Sequence, residues 1–179
     1  MKIIGIVGIV DFRQLEDALW RHFRLAFKEQ FPDYEFVVEH SFFLPWQSKR
    51  MVAFADSIVA KHDTGEDIMF LGYSLGGVIA CAIAPRFKKS RVSAIVTVDA
   101  PHKMKVFFRF FGVVPHPLPF PVITFSGVFD IIVPWFLTRY PNSLHTYLFS
   151  DHMWSLLLSQ HPAEVIAKKT RELLTGSYR

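Results

Sequence analysis

DIMFLGYSLGGVIACAIAPRF (residues 67–87) is the stretch that decides the fold of this chain. Its first part, 67–73, is apolar almost throughout and therefore predicts a strand buried on both faces of a parallel sheet. Its last part, 75–87, is nearly all apolar and predicts a buried helix. Ser74 lies between the two in a Gly-x-Ser-x-Gly pattern with Gly72 and Gly76, so we expect a serine on a sharp strand-to-helix turn.

The rest of the chain repeats this alternation of strands and helices. Short apolar runs, mostly β-branched, predict strands at 2–9, 34–40, 67–73, 92–98, 121–126 and 143–149. Apolar residues at helical spacing, or nearly all-apolar runs, predict helices at 12–30, 49–62, 75–87 and 163–175. Because buried strands that alternate with helices are typical of a parallel sheet, we predict an α/β fold. Its central sheet is expected to be mostly parallel, with about six strands and helices on both faces.

The length and composition are typical of a single folded domain. The chain has 179 residues, of which 51% are hydrophobic and 20% charged, so disorder is not expected. No repeat or linker divides it, and we predict one domain over residues 1–179. The longest irregular section, 99–120, holds four prolines and the aromatic cluster Phe107, Phe108, Phe110 and Phe111. A connection of this length is often functional, which makes it a candidate for a short lid or substrate loop.

The net charge and the cysteine content indicate which binding partners and which cellular compartment to expect. The net charge is +4, and no nucleic-acid-binding motif accompanies the basic residues, so we expect no DNA or RNA partner. The basic bias does suit a weak association with an anionic membrane surface. The single cysteine, Cys81, excludes an internal disulfide and lies in an apolar helix, as a structural thiol would. With no signal peptide or transmembrane run in the sequence, a cytoplasmic location is expected.

The turn at Ser74 has the features that a nucleophilic serine needs. The two flanking glycines leave room for a strained turn that lifts the hydroxyl above the edge of the sheet. The first amides of the following helix then point toward a developing oxyanion. The alternative is that Ser74 only caps the helix and the glycines serve a tight turn. A cap needs no glycine on both sides, so the pattern favours the nucleophile.

A serine hydroxyl needs a base to remove its proton, and the base needs an acid to orient it. His152, in Ser-Asp-His-Met-Trp just after the last predicted strand, is the candidate base. Asp130, just beyond the fifth predicted strand, is the candidate acid, and Asp99, directly after the fourth, is the rival. The other histidines have no partners at the spacing of metal ligands, so we expect no metal site and no cofactor.

Over nearly its whole length the chain resembles the lipases and esterases of the α/β-hydrolase family. Residues 72–77 are similar to the nucleophile elbow of that family. Residues 127–134 are similar to its acid loop, in which a glycine precedes the aspartate and a Val-Pro pair follows. The Ala-Pro-His at 100–102 resembles a Thr-Pro-His or Ser-Pro-His that many lipases carry. The chain is short, and it resembles the minimal members, which lack the first strand pair and a large cap domain.

The resemblance also implies an oxyanion hole. Residues 2–9 would correspond to the strand that leads into the oxyanion loop of the family, where His-Gly is usual and this chain has Val-Gly-Ile. The backbone amides of Ile9 and Leu75 are the expected donors, and Val10 is the alternative to Ile9.

These residues together predict a serine hydrolase that cleaves carboxylic esters, or thioesters, through a Ser74-His152-Asp130 triad and an acyl-enzyme. The expected substrate is a small-molecule or lipid-like ester with an apolar acyl group, bound in part by Tyr73 and by the aromatic cluster. For that cluster, core packing is an equal alternative. An acyltransferase with the same triad and a non-catalytic binding domain on the same fold are the alternative functions.

Overall fold

A computed structural model describes residues 1–7, 13–40, 47–112, 114–151 and 158–176. Within them the chain forms one six-stranded sheet in the order β2-β1-β3-β4-β5-β6, and every neighbouring pair is parallel. The strands are β1 Lys2–Val7, β2 Glu35–Glu39, β3 Asp67–Tyr73, β4 Arg91–Val98, β5 Val122–Gly127 and β6 Leu144–Leu148. The predicted α/β fold with a parallel six-stranded sheet is therefore confirmed.

Helices cover both faces of this sheet. They are α1 Arg13–Gln30, α2 Ser48–His62, α3 Leu75–Ile83, α4 Lys105–Arg109 and α5 His161–Thr175, with short 3-10 helices at Ala84–Arg86 and Trp135–Leu137. One apolar core lies between the sheet and α2 and α3, and the other lies between the sheet and α1 and α5. In β1, Ile4 and Ile6 enter the first core while Ile3 and Val7 enter the second, because successive side chains of a strand point to opposite faces.

Two helix bounds and the long connection differ from the sequence-based predictions for identifiable reasons. Helix α3 ends at Ile83 rather than at residue 87, because Pro85 has no amide to donate and its ring crowds the preceding turn. The final helix begins two residues earlier than predicted, since Pro162 fits the first turn of a helix. The section 99–120 is not irregular throughout, because it contains the five-residue helix α4.

Candidate active site

Ser74 is the single residue between the end of β3 and the start of α3. Its backbone conformation is strained for a residue with a side chain. Its φ of 53° and ψ of −128° lie outside the regions that L-residues prefer. The Ser74 amide donates to the carbonyl of Val98 on the neighbouring strand, at 2.9 Å, and this bond fixes the turn to the sheet. Strain of this kind persists only where the surrounding structure imposes it, and it is common at functional sites.

The surrounding structure imposes this turn through close packing of glycines. A Cβ on Gly76 would lie 1.9 Å from the carbonyl oxygen of Ile6, and a Cβ on Gly72 would lie 2.4 Å from the Cα of Gly77. On the other side, a Cβ on Gly77 would lie 2.5 Å from the Cβ of Ala100. The start of α3 therefore presses directly against β1 and against the segment after β4, which only glycines allow.

The helix that follows Ser74 is buried along all nine of its residues. Leu75 is its first residue, so the Leu75 amide has no acceptor within the helix and is one of the donors that the helix dipole favours for an anion. Within the described part of the chain, the side chain of Ser74 makes no capping hydrogen bond to α3. This observation does not support the alternative in which Ser74 serves only as the helix cap.

The carboxyl ends of four neighbouring strands bring four polar residues to one edge of the sheet. Ser74 follows β3, Asp99 follows β4, Asp130 lies just beyond β5, and Asp151 lies just beyond β6. In open α/β sheets this edge is the usual location of ligand sites. Sequence motifs indicate the first three of these residues, whereas Asp151 is apparent only from the sheet topology.

Asp130 is held by the backbone of its own loop. Its Oδ1 accepts hydrogen bonds from the amides of Ile132 and Val133, each at 2.8 Å, and its side chain is buried. An aspartate that bonds to amides two and three residues ahead stabilises a tight turn. This turn fixes the orientation of the Asp130 carboxylate.

Asp99 is held instead by the neighbouring strand. Its Oδ1 accepts a 2.6 Å hydrogen bond from the amide of Gly127, while its Oδ2 is buried and finds no partner among the described residues. Burial raises the pKa of Asp99 well above its usual range. The Gly127 hydrogen bond offsets part of this rise, and the charges of Asp130 and Asp151 add to it. Like Ser74, Asp99 adopts a positive φ, 49°.

The candidate base, His152, lies outside the described residues, but the chain that leads to it is described. The amide of Val128 donates to the carbonyl of Leu148 at 2.9 Å, and the amide of Phe129 donates to the carbonyl of Ser150 at 3.1 Å. The parallel pairing of β5 and β6 thus continues beyond both strands, up to the residue before Asp130 and to two residues before His152. The two segments leave the sheet side by side.

Of the two candidate oxyanion donors, the structure describes only Leu75. Leu75 is placed at the first turn of α3, as described above. Ile9 and its alternative Val10 lie outside the described residues. The strand that precedes them ends at Val7, whose register partner on β3 is Tyr73, the residue before Ser74. The chain therefore leaves β1 directly beside the turn that carries the serine.

Tyr73 is almost fully buried, with 6% of its surface exposed, and it packs in the core on the α1 and α5 face of the sheet. Burial raises the pKa of its phenol well above the usual value, and the charges of Asp99, Asp130 and Asp151 raise it further. The phenol therefore stays neutral beside these carboxyl groups. Its predicted role in substrate binding stays a prediction.

The aromatic cluster of the long connection divides into two kinds of residue. Phe108 is fully buried in α4, with its ring centroid 6.0 Å from that of Tyr140 and 6.3 Å from that of His102. Phe107, Phe110 and Phe111 are partly buried and pack against the core on the α2 and α3 face. Core packing therefore accounts for Phe108. The acyl-wall role of this cluster stays a prediction.

A row of buried and half-buried polar residues, which no sequence motif indicated, crosses three strands. Thr97 on β4 pairs in register with Thr124 on β5, which pairs with His145 on β6. The Nδ1 of His145 lies 2.6 Å from the Thr124 hydroxyl, and the Nε2 of His102 lies 2.9 Å from the Thr97 hydroxyl. Burial lowers the pKa of His102 to about 3, so this ring is neutral and structural. A Thr or Ser within an apolar strand was the only signal for this row.

Within the described ranges, no three His, Cys, Asp or Glu side chains come together in a way that suits a metal ion. Among the described helices, none is both long and apolar enough to cross a bilayer.

Several solved structures share this fold at low sequence identity. The esterase domain of a Rhodothermus marinus protein superposes with a TM-score of 0.60 at 16% identity, over 96% of this chain and 84% of that one. A metagenomic carboxyl esterase superposes with a TM-score of 0.66 at 14% identity, over 99% and 76%. A serine hydrolase involved in carbazole degradation superposes with a TM-score of 0.62 at 11% identity, over 98% and 91%. At these identities the likeness shows the fold alone.

Comparison with the sequences of curated proteins gives no match. The profile of one protein family, described as alpha/beta hydrolase fold, matches residues 26–158, which is more than half of the chain and includes the turn at Ser74 and the loop of Asp130. Taken with the six-stranded parallel sheet, this match shows that the chain belongs to the alpha/beta hydrolase fold family.

Proposed function

We propose that this protein is a serine hydrolase that cleaves carboxylic esters or thioesters with an apolar acyl group. The observation that carries the proposal is the backbone of Ser74, which has strained dihedral angles and is held between two closely packed strands at the start of a buried helix. A serine used only for packing or capping does not need this geometry. The esterases and the serine hydrolase that share the fold support the same reaction class.

In the first half of the proposed reaction, the Oγ of Ser74 attacks the carbonyl carbon of the ester while His152 accepts the hydroxyl proton. The carbonyl oxygen becomes an oxyanion, which the amides of Leu75 and Ile9 stabilise. When the intermediate collapses, the bond to the alcohol or thiol breaks. His152 returns its proton to that leaving group, and the acyl group stays on Ser74.

In the second half, a water molecule attacks the acyl carbon and gives a proton to His152. The bond between the acyl group and the Ser74 oxygen breaks, the carboxylic acid leaves, and the proton returns to Ser74. No other reactant is needed, and each atom of water ends in one of the two products.

Asp130 is our choice for the acid of the triad. It must carry a negative charge to orient the imidazole and stabilise its protonated form. The turn after β5 fixes the Asp130 carboxylate beside the chain that leads to His152. Burial raises the pKa of Asp99, which favours its neutral form, and the amide of Gly127 ties its carboxyl group to β5. Asp99 therefore suits a structural link between β4 and β5.

The test is hydrolysis of a short aryl ester by the wild type, Ser74→Ala and Ser57→Ala. Ser57 is an exposed serine of α2 whose hydroxyl bonds within its own helix, so it is a matched control. We expect Ser74→Ala to lose activity by about 10⁶ in kcat, and Ser57→Ala to keep it. Equal activity in the three proteins would exclude Ser74 as the nucleophile.

A further inference from the structure

The edge of the sheet at β6 exposes aromatic side chains that contact one another. Tyr147 is in β6, and Phe149 follows the last residue of that strand. The ring of Trp135 lies 5.7 Å from that of Tyr147, and the ring of Phe129 lies 5.8 Å from that of Phe149. All four side chains are exposed. Two exposed ring pairs therefore lie close together in the chain at the end of the last strand.

The loop that carries Asp130 extends this surface. Ile131 is 92% exposed and Ile132 is 66% exposed, and both follow Phe129 closely in the chain. Single exposed apolar residues are ordinary, but a contiguous group of them marks an interaction site. We call the group of Phe129, Ile131, Ile132, Trp135, Tyr147 and Phe149 the apolar surface.

A cationic cavity of about 670 Å³ borders the apolar surface. Lys103, Lys105 and Arg139 line it, and none of the described residues that line it is acidic. In the described part of the chain, none of the three has a carboxylate within ion-pair distance. Three exposed positive charges thus converge on one cavity, and no carboxylate of the residues that the structure describes forms an ion pair with them.

Two observations place the cavity next to the apolar surface. The amide of Lys103 donates at 2.9 Å to the carbonyl of Leu137, which ends the short helix that begins at Trp135. Burial lowers the pKa of His145, and the nearby positive charges of Arg139 and Lys103 lower it further. The ring centroid of His145 lies 4.7 Å from that of Tyr147. The cationic cavity therefore lies near the part of the apolar surface that holds Trp135 and Tyr147.

We propose that the apolar surface and the cationic cavity together form a docking site for an anionic lipid bilayer. Trp and Tyr are the residues that favour the interface between lipid and water, and exposed Ile and Phe side chains add buried apolar area there. The cations of the cavity attract the negative head groups of the same leaflet. Lysine, by contrast, is depleted at interfaces between proteins, so the charge pattern favours a lipid surface over a protein partner.

This proposal does not depend on the proposed reaction. It does place the bilayer close to the candidate site, because Asp130 lies between Phe129 and Ile131 in the chain. A lipid-soluble ester would then need to travel only a short distance to the carboxyl edge of the sheet.

The experiment is co-sedimentation of the full chain with two kinds of vesicle, one of phosphatidylcholine alone and one with about a third of phosphatidylserine. We expect binding to the anionic vesicles that weakens as salt is added, and much weaker binding to the neutral ones. Ser74→Ala should bind as the wild type does, which separates docking from catalysis.

Paired variants test the two parts of the site. Removing two cations with Lys103→Gln and Arg139→Gln should weaken binding to anionic vesicles about 30-fold. Lys88→Gln with Lys89→Gln removes the same charge from exposed positions before β4, at the other end of the sheet, and should leave binding unchanged. Ile131→Ser with Phe149→Ser should weaken binding by about tenfold or more, with a thermal melt as the control for folding.

Three results would overturn the proposal. One is equal loss of binding in the cavity variants and in the Lys88 and Lys89 control, because the effect would then follow net charge alone. Another is the absence of binding to anionic vesicles; dimerisation that Ile131→Ser and Phe149→Ser abolish would then assign the surface to a second copy. The third is stabilisation of the protein by inorganic phosphate, at matched ionic strength, without any vesicle binding.

Discussion

Asp99 and Asp130 follow neighbouring strands at the same edge of the sheet, and both are buried, yet the structure holds them in different ways. Asp99 accepts a hydrogen bond from Gly127 on the next strand, and burial raises its pKa. Asp130 accepts two hydrogen bonds from its own loop, beside the chain that leads to His152. The difference teaches that the position of an aspartate after a strand does not decide its role. The partners of its carboxylate do.

The difference between Asp99 and Asp130 should have its largest effect on kcat. Asp130→Asn should lower kcat on a short aryl ester by about 10⁴, because an amide cannot hold the imidazole in the right tautomer or stabilise its charge. Asp99→Asn should lower kcat by less than about tenfold. Steady-state kinetics of both variants, with thermal melts as a folding control, give the ranking, and the reverse ranking would assign the acid to Asp99.

The aromatic cluster offers a second comparison, between Phe108, which packs in the core, and Phe111, which is predicted to contact the substrate. Phe108→Ser should lower the free energy of unfolding by about 3–5 kcal/mol, because Phe108 is fully buried against Tyr140. Phe111→Ser, at a partly buried position, should instead weaken hydrolysis of long-chain esters relative to short-chain ones by about 1–3 kcal/mol in barrier height.

Denaturant unfolding and rates across aryl esters of increasing chain length measure these two effects. If Phe111→Ser lowers the rates for all chain lengths equally and lowers stability as well, the whole cluster is core and the acyl wall lies elsewhere.

Gly127 is linked to both aspartates. Its amide donates a hydrogen bond to Asp99, and it lies three residues before Asp130 in the chain. A Cβ at this position would lie 2.5 Å from the carbonyl oxygen of Ser150, so Gly127→Ala must push the β6 segment away. A shift of about 1 Å at the approach to His152 should lower kcat about 100-fold.

Gly65→Ala is the matched control for this prediction. It lies before β3, at the opposite end of the sheet, with a φ of 97° and open space around a Cβ. It should cost stability but leave kcat near the wild-type value. If Gly127→Ala is as active as Gly65→Ala, the geometry of the two segments after β5 and β6 does not control the reaction.

The smallest effect concerns the pH dependence of stability. Because the pKa of Asp99 is raised in the folded state, the folded protein binds this proton more tightly than the unfolded chain does. Asp99 therefore lowers the free energy of unfolding as the pH rises above its unfolded pKa of about 3.9, by at most about 1.4 kcal/mol per pH unit. The stability of Asp99→Asn relative to the wild type should grow with pH in this range.

Urea unfolding of both proteins at several pH values measures this gap. Parallel stability curves for Asp99→Asn and the wild type would mean that Asp99 is charged in the folded state, and the argument against it as the catalytic acid would then fail.

The fold and the position of the serine follow from the sequence because they rest on local patterns. The apolar run before Ser74 and the glycines around it predict a strand, a turn and a helix, and the structure has these elements. The link between Asp99 and Gly127, by contrast, joins residues 28 positions apart in the chain. The hydrogen bond between Thr124 and His145 likewise depends on which strands become neighbours. No local pattern encodes such pairings.

The roles of Ser74, Asp130 and His152 stay predictions, and His152 and Ile9 lie outside the described residues. The most direct test of the central role, that of Ser74, is mass mapping after reaction with a fluorophosphonate. The tryptic peptide 62–86 contains Ser74 as its only serine, so an adduct on it identifies the nucleophile. We predict a single adduct on this peptide in the wild type and in Ser57→Ala, and none in Ser74→Ala. An adduct on another serine, or full labelling of Ser74→Ala, would contradict the account.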